Sequence, residues 1–289
     1  MFEKVRHFNK STKDRERTWK IIVNMILTIG AAVVSLPFLW MLSTSLKADS
    51  QIMSEKLIWI PNPIDWANYG EAVTYIPYFQ YLKNTVFVSI ISVIGVLTAG
   101  SLVAFGFAKL RAPGRNFLFI VLLCSMMLPG QVTMIPVFIL FRNLGWYNSL
   151  KALTIPAFMG GGAFNIFLLR QFFMGIPNEV IEAAKIDGCS YFDIYWRIVL
   201  PLGKPALTTV AIFTFVATWN DFMSPLIYLK DQSKYTIALG LQFFQSLHST
   251  EHALLMAAAL ITALPIIIIF FFAQEHFIKG VSLEGGIKG

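Results

Sequence analysis

The sequence has little charge and little cysteine, and each scarcity excludes a class of protein. Only 13% of its 289 residues are charged, whereas soluble domains carry about a quarter. With 56% hydrophobic residues and a mean hydropathy of +0.64, the chain is predicted to be an integral membrane protein. Its two cysteines, Cys124 and Cys189, have no other metal-binding residues spaced around them in a metal-site pattern. We therefore expect neither a disulfide nor a metal site, and both thiols at least partly buried.

Motifs for ATP hydrolysis and for common hydrolytic chemistry are also missing. The sequence contains no G-x-x-x-x-G-K-[ST] phosphate loop, so the chain cannot hydrolyse ATP by itself. It contains no H-E-x-x-H, no G-x-S-x-G and no clustered carboxylates, which argues against a membrane-bound enzyme. The prediction is a chain that is not an enzyme and holds no cofactor of its own.

Long apolar runs are what the sequence does contain. Its length accommodates about six spanning helices of roughly 20 residues each, with modest loops. We therefore predict an all-α integral membrane protein with six transmembrane helices. Their approximate bounds are 21–46, 84–108, 117–141, 150–173, 206–229 and 253–274.

Glycine and proline interrupt these runs at defined places. Gly100, Ala104 and Ala108 recur every fourth residue in the second span, a spacing that lets two membrane helices pack closely. Pro129-Gly130 breaks the third span, and Gly160-Gly161-Gly162 breaks the fourth. Because breaks at membrane depth need protein or a watery cavity around them, we expect a hinge or pathway wall at the triple glycine. Simple helix packing is the alternative.

The distribution of positive charge predicts the orientation. The segments 1–20, 109–116, 170–204 and 275–289 carry 16 of the 23 Lys and Arg residues, which places them in the cytoplasm. The expected organisation is a cytoplasmic N-terminal segment 1–20, a six-span domain 21–276 and a cytoplasmic tail 277–289. Because the net charge of +7 is spread over segment ends rather than along one face, a nucleic-acid partner is not expected.

The polar loop 175–204, between the fourth and fifth spans, reads as two short helices separated by a break. Asn178 is the predicted N-cap of the first helix. Gly188 is its predicted C′ residue, in the left-handed region. Ser190, with Asp193 three residues later, predicts a capping box that opens the second helix. Pro201 is expected to end that helix.

One stripe of the first helix has the composition of a contact surface. It consists of Val180, Ala183, Ala184 and Asp187, which share one helical face. Its two alanines leave the stripe flat enough for another protein to approach closely. From the residues alone, an amphipathic helix lying on the membrane surface explains the stripe equally well.

The polar loop also resembles a known family. Glu182-Ala183-Ala184, Gly188 and the later run from Ile198 to Pro201 match the pattern E-A-A, G, I-x-L-P at every position and spacing. This is the cytoplasmic coupling loop of binding-protein-dependent, type I ABC importer permeases. Two further stretches are similar to the carbohydrate branch of that family, and in particular to the smaller maltose-type permease. They are the run Trp219-Asn220-Asp221-Phe222 with Pro225-Leu226-Ile227-Tyr228, and the tail Phe277 to Gly280 with Gly285 to Gly289.

The resemblance, which covers about residues 20–289, implies a specific function and specific partners. It implies a type I ABC importer permease fold with a coupling helix, in the inner membrane of a bacterium or archaeon. The implied partners are a sister permease that is a different chain, two ATPase subunits that bind ATP and Mg, an extracytoplasmic solute-binding protein and a carbohydrate. The implied coupling residues are Glu182, Ala183, Ala184, Asp187, Gly188, Ile198, Leu200 and Pro201.

A second candidate site lies in the fifth predicted span. Asp221 is the only carboxylate well inside a predicted span, and such residues are functional candidates by default. With Trp219 and Asn220 it is a candidate for the substrate pathway or a gate, and placement at the external membrane interface is the alternative. His248 and His252 are expected to be loop residues.

Two other functions remain open from the sequence. One is an importer for another solute class, such as an amino acid, a peptide or phosphate, which the coupling motif does not exclude. The other is an ion-coupled secondary transporter, which would need an ion site inside the membrane. Asp221 alone is thin support for that site, and no inverted repeat is evident.

Overall fold

The computed structural model describes residues 2–54, 56–245 and 251–282, and every regular element among them is a helix. Two π-helical turns, Val96–Gly100 and Tyr195–Val199, interrupt the α-helices, and short 3-10 turns lie at Ile155–Phe158, Gln232–Lys234 and Leu241–Phe244. The α-helices are α1 Phe2–Ser45, α2 Asp49–Ile52, α3 Ala67–Tyr75, α4 Tyr78–Gly95, α5 Ser101–Lys109, α6 Arg115–Ser125, α7 Gly130–Asn143, α8 Lys151–Thr154, α9 Ala163–Met174, α10 Asn178–Ile186, α11 Tyr191–Ile194, α12 Leu200–Leu202, α13 Lys204–Trp219, α14 Met223–Tyr228, α15 Ile237–Gly240 and α16 His252–Ser282.

Between four and six of these segments can cross a membrane. Four stretches of the described chain are long and apolar enough by length and composition: Arg17–Ser45, Tyr78–Lys109, Lys151–Met174 and His252–Phe272. Two bent pairs, α6 with α7 (99°) and Tyr191–Leu202 with α13 (77°), bring the number to six if each pair is one span. The predicted all-α membrane architecture is confirmed.

The described chain forms two compact units. The first comprises the described residues of 1–72 and 247–260. There α1 runs on from the basic segment 2–20 into the first span without a break. The amide of Asn68, on α3, donates to the carbonyl oxygens of Ser45 (3.0 Å) and Lys47 (2.9 Å). These bonds satisfy carbonyl groups at the end of α1, where the helix itself offers no donors.

The second unit comprises the described residues of 73–246 and 261–289, and a buried core in it includes side chains from the second half of the second span. Buried side chains of α5, α9, α10, α11 and α13 and of the two π-helical turns pack together there. They include Val96, Ala104, Phe105, Ile166, Leu169, Phe173, Ile181, Ala184, Ile194, Tyr195, Val199, Ala206 and Val210. Burial of this apolar surface joins the membrane helices to the polar loop 175–204 in one core.

Close backbone packing explains the small residues. A Cβ at Gly100 would lie 3.3 Å from the carbonyl oxygen of Gly160, and Ala104 is fully buried. This confirms the close packing predicted for the second span. Gly161 has φ +68°, and a Cβ there would lie 2.7 Å from Val96 Cγ2. The triple glycine therefore lets a turn pack against the π-turn Val96–Gly100, which favours the packing alternative over the expected hinge.

Two of the predicted spans were wrong in extent. The second span begins at Tyr78 rather than residue 84, because Tyr78 and Tyr81 are almost wholly buried and extend the apolar contact. The fifth span is not continuous over 206–229, because α13 ends at Trp219 and α14 begins only at Met223. The side chain of Asn220 donates to the carbonyl of Val216 (2.8 Å), and such local bonds compete with continuation of the helix.

Of the two cysteines, one lies where the sequence predicted and the other does not. Cys124 is exposed on the outer side of α6, contrary to the expectation of burial, while Cys189 is half-buried in the core of the second unit as expected. An apolar surface inside a membrane needs no protein around it, which is why the apolar run around Cys124 did not indicate burial. His248 and the tail run Gly285 to Gly289 lie outside the described residues.

The segment 230–245 lies against the N-terminal part of α4. The amide of Asn84 donates to the carbonyls of Ser233 and Tyr235, both at 2.9 Å. The backbone N–H of Ile237 donates to Thr85 Oγ1 at 2.8 Å. Gly240 packs so closely on Tyr81 that a Cβ there would lie 2.3 Å from Tyr81 Cδ2. This segment, predicted to be an external loop, is therefore folded tightly onto the second span.

Candidate functional site

Helix α10 lies on the core of the second unit along one face. Ile181 and Ala184 are buried there, with 4% and 7% of their surface exposed. The predicted contact stripe is therefore corrected: Ala184 faces the core of its own chain, while Val180, Ala183 and Asp187 are exposed. The spacing of the stripe was read correctly as one helical face. Which face would be buried depends on tertiary packing, and the sequence pattern did not determine it.

The exposed surface of α10 is centred on Ile186. This side chain is 87% exposed, although it is apolar and lies in the last turn of the helix. Glu179, Glu182 and Ala183 lie on the same exposed side. The result is a mixed apolar and acidic surface, with carboxylates flanking a projecting isoleucine.

The end of α10 has the geometry that its glycine predicts. Gly188 has φ +82°, its N–H donates to the Lys185 carbonyl (3.0 Å), and the N–H of Cys189 donates to the Ala184 carbonyl (2.9 Å). These two bonds form a Schellman motif with Gly188 at C′. The chain therefore turns sharply after Asp187, at a fixed angle.

The start of α10 differs from the prediction. Pro177, not Asn178, is the N-cap, and Asn178 is the first residue of the helix. Asn178 Oδ1 accepts a hydrogen bond from Lys109 Nζ at 3.0 Å, and the same ammonium donates to the Ile176 carbonyl at 2.6 Å. Glu179 adds electrostatic attraction. A lysine at the end of the second span thus holds the N-terminus of α10.

No local pattern in the sequence indicates this contact. Lys109 counted only toward the charge bias of its segment, and its partners lie more than sixty residues away in the chain. A pairing over that distance depends on how α5 and α9 cross, which the local pattern does not contain.

The second short helix of the loop is fixed by its own cap and by one buried contact. The N–H of Asp193 donates to Ser190 Oγ at 3.1 Å, and the N–H of Ser190 donates to Asp193 Oδ2 at 3.2 Å, so the predicted capping box is confirmed. Tyr195, 4% exposed, shares a 2.7 Å hydrogen bond with Ser101 on the second span. The loop is therefore joined to the second span at Ser101 as well as at Lys109.

The I-x-L-P part of the motif divides into packed and exposed residues. Ile198 and Leu200 are half-buried and pack against the core, and Val199 between them is fully buried. Pro201 is exposed in the first turn of α12, just before the bend into α13. Ile198 and Leu200 are thus placed to hold the loop on the membrane helices.

The second candidate site lies at the other end of α13 from the loop. Trp219 is 2% exposed, its Nε1 donates to the carbonyl of Thr262 (3.1 Å), and it stacks on Phe215. Asn220 is exposed and Asp221 is half-buried, with Asp221 Oδ1 accepting from the N–H of Ser224 at 3.0 Å. At helical rise the 16 residues of α13 span about 24 Å, so the two sites are separate.

The described part of the chain holds no cluster of three or more His, Cys, Asp or Glu side chains able to bind a metal. What this geometry offers is mechanical: an exposed helix of fixed orientation, joined to membrane helices through a buried core and two polar contacts.

Comparison with known proteins shows which family the chain matches. Residues 91–283 match the model of the binding-protein-dependent transport system inner membrane component. The chain is 32% identical over 275 residues to the arabinooligosaccharides transport system permease protein of Halalkalibacterium halodurans, covering 93% of this chain and 98% of that one. It is 30% identical over 290 residues to the polygalacturonan/rhamnogalacturonan transport system permease protein of Bacillus subtilis, covering 95% and 100%.

A solved structure shares the fold. A chain in the crystal structure of a bacterial ABC transporter involved in the import of the acidic polysaccharide alginate matches with a TM-score of 0.79 at 24% identity. The match covers 90% of this chain and 97% of that chain. Together with the matched family model, it confirms the permease architecture expected from the motif. The chain belongs to the family of binding-protein-dependent transport system inner membrane components and is a multi-pass inner-membrane permease.

Proposed function

We propose that this chain is the permease subunit of an ATP-driven ABC importer for oligosaccharides and forms half of the translocation pathway. Its similarity over nearly its whole length to permeases named for arabinooligosaccharides and for polygalacturonan or rhamnogalacturonan supports a saccharide substrate. The family description supports delivery of that substrate by a binding protein.

The exposed surface of α10 carries this proposal. A helix lying on a membrane surface would direct its apolar side into the lipid and its charges toward water. On α10 the apolar side, with Ile181 and Ala184, is already used by the core of the chain. What remains exposed is Ile186 (87%), among the carboxylates of Glu179 and Glu182, with the less exposed Val180 (39%) on the same helix. A strongly projecting apolar side chain with a charged surround suits a groove on a protein, with an apolar anchor at its centre.

In the proposed mechanism, an ATPase subunit holds α10 and moves it when ATP closes the ATPase dimer. The core around Ile181 and Ala184, the Lys109 contact and the Ser101–Tyr195 hydrogen bond carry that movement to the membrane helices. Gly188 sets the angle at which α10 leaves the loop. The membrane helices then alternate between inward-facing and outward-facing arrangements.

The remaining subunits and the orientation follow from the same proposal. Two ATPase subunits supply the ATP and Mg sites, and a sister permease, a different chain, supplies the other half of the pathway. The positive segments, with both termini and the loop 175–204, lie in the cytoplasm. A binding protein and the segment 230–245 lie on the opposite side.

For the pathway itself we propose Asn220 and Asp221. Asn220 is exposed and Asp221 half-buried at the break between α13 and α14, where their side chains are available to a passing hydroxyl-rich ligand. Trp219 is buried against Thr262, so its proposed role is to hold this break in place rather than to touch substrate.

Affinity purification in a gentle detergent, followed by mass spectrometry of the intact complex, tests the proposal. We expect two ATPase subunits and a second permease to accompany the wild-type chain. Ile186→Glu should remove the ATPase subunits, because it places a charge at the centre of the docking surface. Leu144→Glu, in an exposed loop predicted on the opposite side and 49% exposed, is the matched control and should keep them.

A wild-type chain that purifies alone or as a homo-oligomer at low salt would overturn the importer assignment. A complex that survives Ile186→Glu unchanged would instead overturn the docking surface and leave the importer assignment intact. The two failures are therefore distinguishable in one experiment.

A further inference from the structure

An open cleft of about 510 Å³ lies in the turn between the second span and α6. Residues 111–117 line it, and they include Arg111 and Arg115. Its neighbour in the fold is the Lys109 contact, so the cleft lies on the same side of the second span as α10. Nothing in the coupling mechanism uses it.

Positive charge accumulates at this cleft. Arg170, on α9, places its guanidinium 3.9 Å above the ring of Phe119 and donates to the Phe107 carbonyl (3.3 Å). Arg115 lies close enough for the two positive charges to repel each other. No carboxylate among the described residues forms an ion pair with either arginine.

The start of α6 adds to this charge. Gly114, at φ +76°, is its N-cap and offers no side-chain acceptor, and no acidic residue occupies the first turn. The first residue is Arg115, a cation at the end of the helix where the dipole disfavours one. Amide groups of a first turn with no capping side chain favour an anion. Arg115 Nη1 donates to the Leu110 carbonyl at 2.7 Å, which uses one of the five N–H donors of the guanidinium and leaves its charge available to a bound anion.

The surroundings indicate which anion. Phe117, Leu118 and Val121 on α6 are 68%, 57% and 50% exposed, and they continue directly from the cleft along the outer surface of a membrane helix. A phosphate bound between the arginines would therefore have apolar side chains beside it, at the depth where acyl chains begin. Basic pockets of this kind on the cytoplasmic side bind phospholipid head groups.

We propose that Arg111 and Arg115, with Arg170 adding charge behind them, bind the phosphate of an anionic phospholipid in the leaflet next to α10. Arginine is suited to this because its planar fork can donate two hydrogen bonds to one phosphate. The bound lipid would neutralise the repulsion between Arg115 and Arg170 and stabilise the turn that precedes α6. The proposal requires the chain to lie in a membrane, and does not depend on which solute is carried.

The test is a titration of the purified complex with dioleoylphosphatidylglycerol, with native mass spectrometry to count bound lipid. Phosphatidylcholine serves as the zwitterionic comparison. We expect the wild-type chain to retain one more molecule of phosphatidylglycerol than of phosphatidylcholine. Arg111→Gln and Arg115→Gln should each weaken that binding about fivefold, and Arg115→Lys, which keeps the charge, should weaken it less. Arg142→Gln removes an exposed arginine at the far end of α7 and should leave the lipid count unchanged.

Three outcomes would overturn the proposal. The first is equal phosphatidylglycerol binding by wild type and both glutamine variants. The second is displacement of the lipid by inorganic phosphate at similar concentration, which would indicate a site for free phosphate. The third is loss of the ATPase subunits from the glutamine variants with lipid binding unchanged, which would make the cleft a protein contact. Because the readout is bound lipid, a failure of the transport assignment would not change its interpretation.

Discussion

Replacing Lys109 by methionine is expected to loosen α10 from the membrane helices. Lys109 Nζ donates to the Ile176 carbonyl at 2.6 Å and to Asn178 Oδ1 at 3.0 Å. Methionine keeps a long unbranched side chain, so the packing of the stem is largely retained. What the substitution removes is the pair of charged hydrogen bonds and the attraction to Glu179.

The expected loss is about 2 kcal/mol. A hydrogen bond with a charged partner contributes about 1.5–3 kcal/mol in a buried setting, but Lys109 is only half-buried and water can replace part of each bond. The attraction to the exposed Glu179 adds at most about 1 kcal/mol. At about 1.4 kcal/mol per factor of ten, a loss of this size raises the population in which α10 has opened about 30-fold.

Hydrogen exchange of the backbone amides of α10 measures that population in the purified complex. We expect exchange of α10 to accelerate about 30-fold in Lys109→Met, while α9 and α4 keep their wild-type rates. Lys204→Met removes an exposed lysine at the start of α13 and is the control. Exchange of α10 that rises less than about threefold would refute the reasoning, and equal acceleration in α9 would show general destabilisation instead.

Three further substitutions test other parts of the structure. Gly188→Asp should leave the chain in the membrane but lose ATPase association, more than the neutral Gly188→Asn, and normal substrate uptake by the aspartate variant would contradict the coupling role. Asp221→Asn should change uptake of charged and neutral oligosaccharides by different factors with assembly intact, and loss of the ATPase subunits would contradict its placement. Gly240→Ala should cost about 1–3 kcal/mol, because its Cβ would lie 2.3 Å from a ring carbon of the buried Tyr81. Gly106→Ala, in a helix with nothing within 4 Å of the new Cβ, should not lower the melting temperature, and equal melting temperatures for the two alanine variants would contradict the packing argument.

Features determined by neighbouring residues could be predicted from the sequence. Gly188 adopts the left-handed conformation, and Ser190 and Asp193 form their capping box, because each depends on atoms within a few residues. The apolar runs predicted where the spans lie for the same reason. Asn178 is an exception among these local predictions. It has the chemistry of an N-cap, but the N-cap position is taken by Pro177, and the side-chain oxygen of Asn178 accepts a hydrogen bond from Lys109 instead.

Directions and breaks depend on tertiary structure, and there the sequence was less informative. The face of α10 that contacts the core is set by Ile181 and Ala184, which pack against residues from other helices. The predicted contact stripe was therefore wrong for Ala184, which is buried in the core and not available to a partner. The run 206–229 is apolar throughout its length. At its break, Asn220 bonds to the preceding turn and Asp221 accepts from the N–H of Ser224, and hydrophobicity does not reveal such local contacts.

The contacts of the second span explain why the Lys109 substitution should act locally. At its start, Asn84, Thr85 and Tyr81 hold the span to the segment 230–245. At its end, Ser101 and Lys109 hold it to the loop that carries α10. The span is 32 residues long, about 48 Å at helical rise, so the two sets of contacts are independent. Removing Lys109 leaves the Ser101–Tyr195 hydrogen bond and the core around Ile181 in place. A loss confined to α10 is therefore the outcome that this arrangement requires.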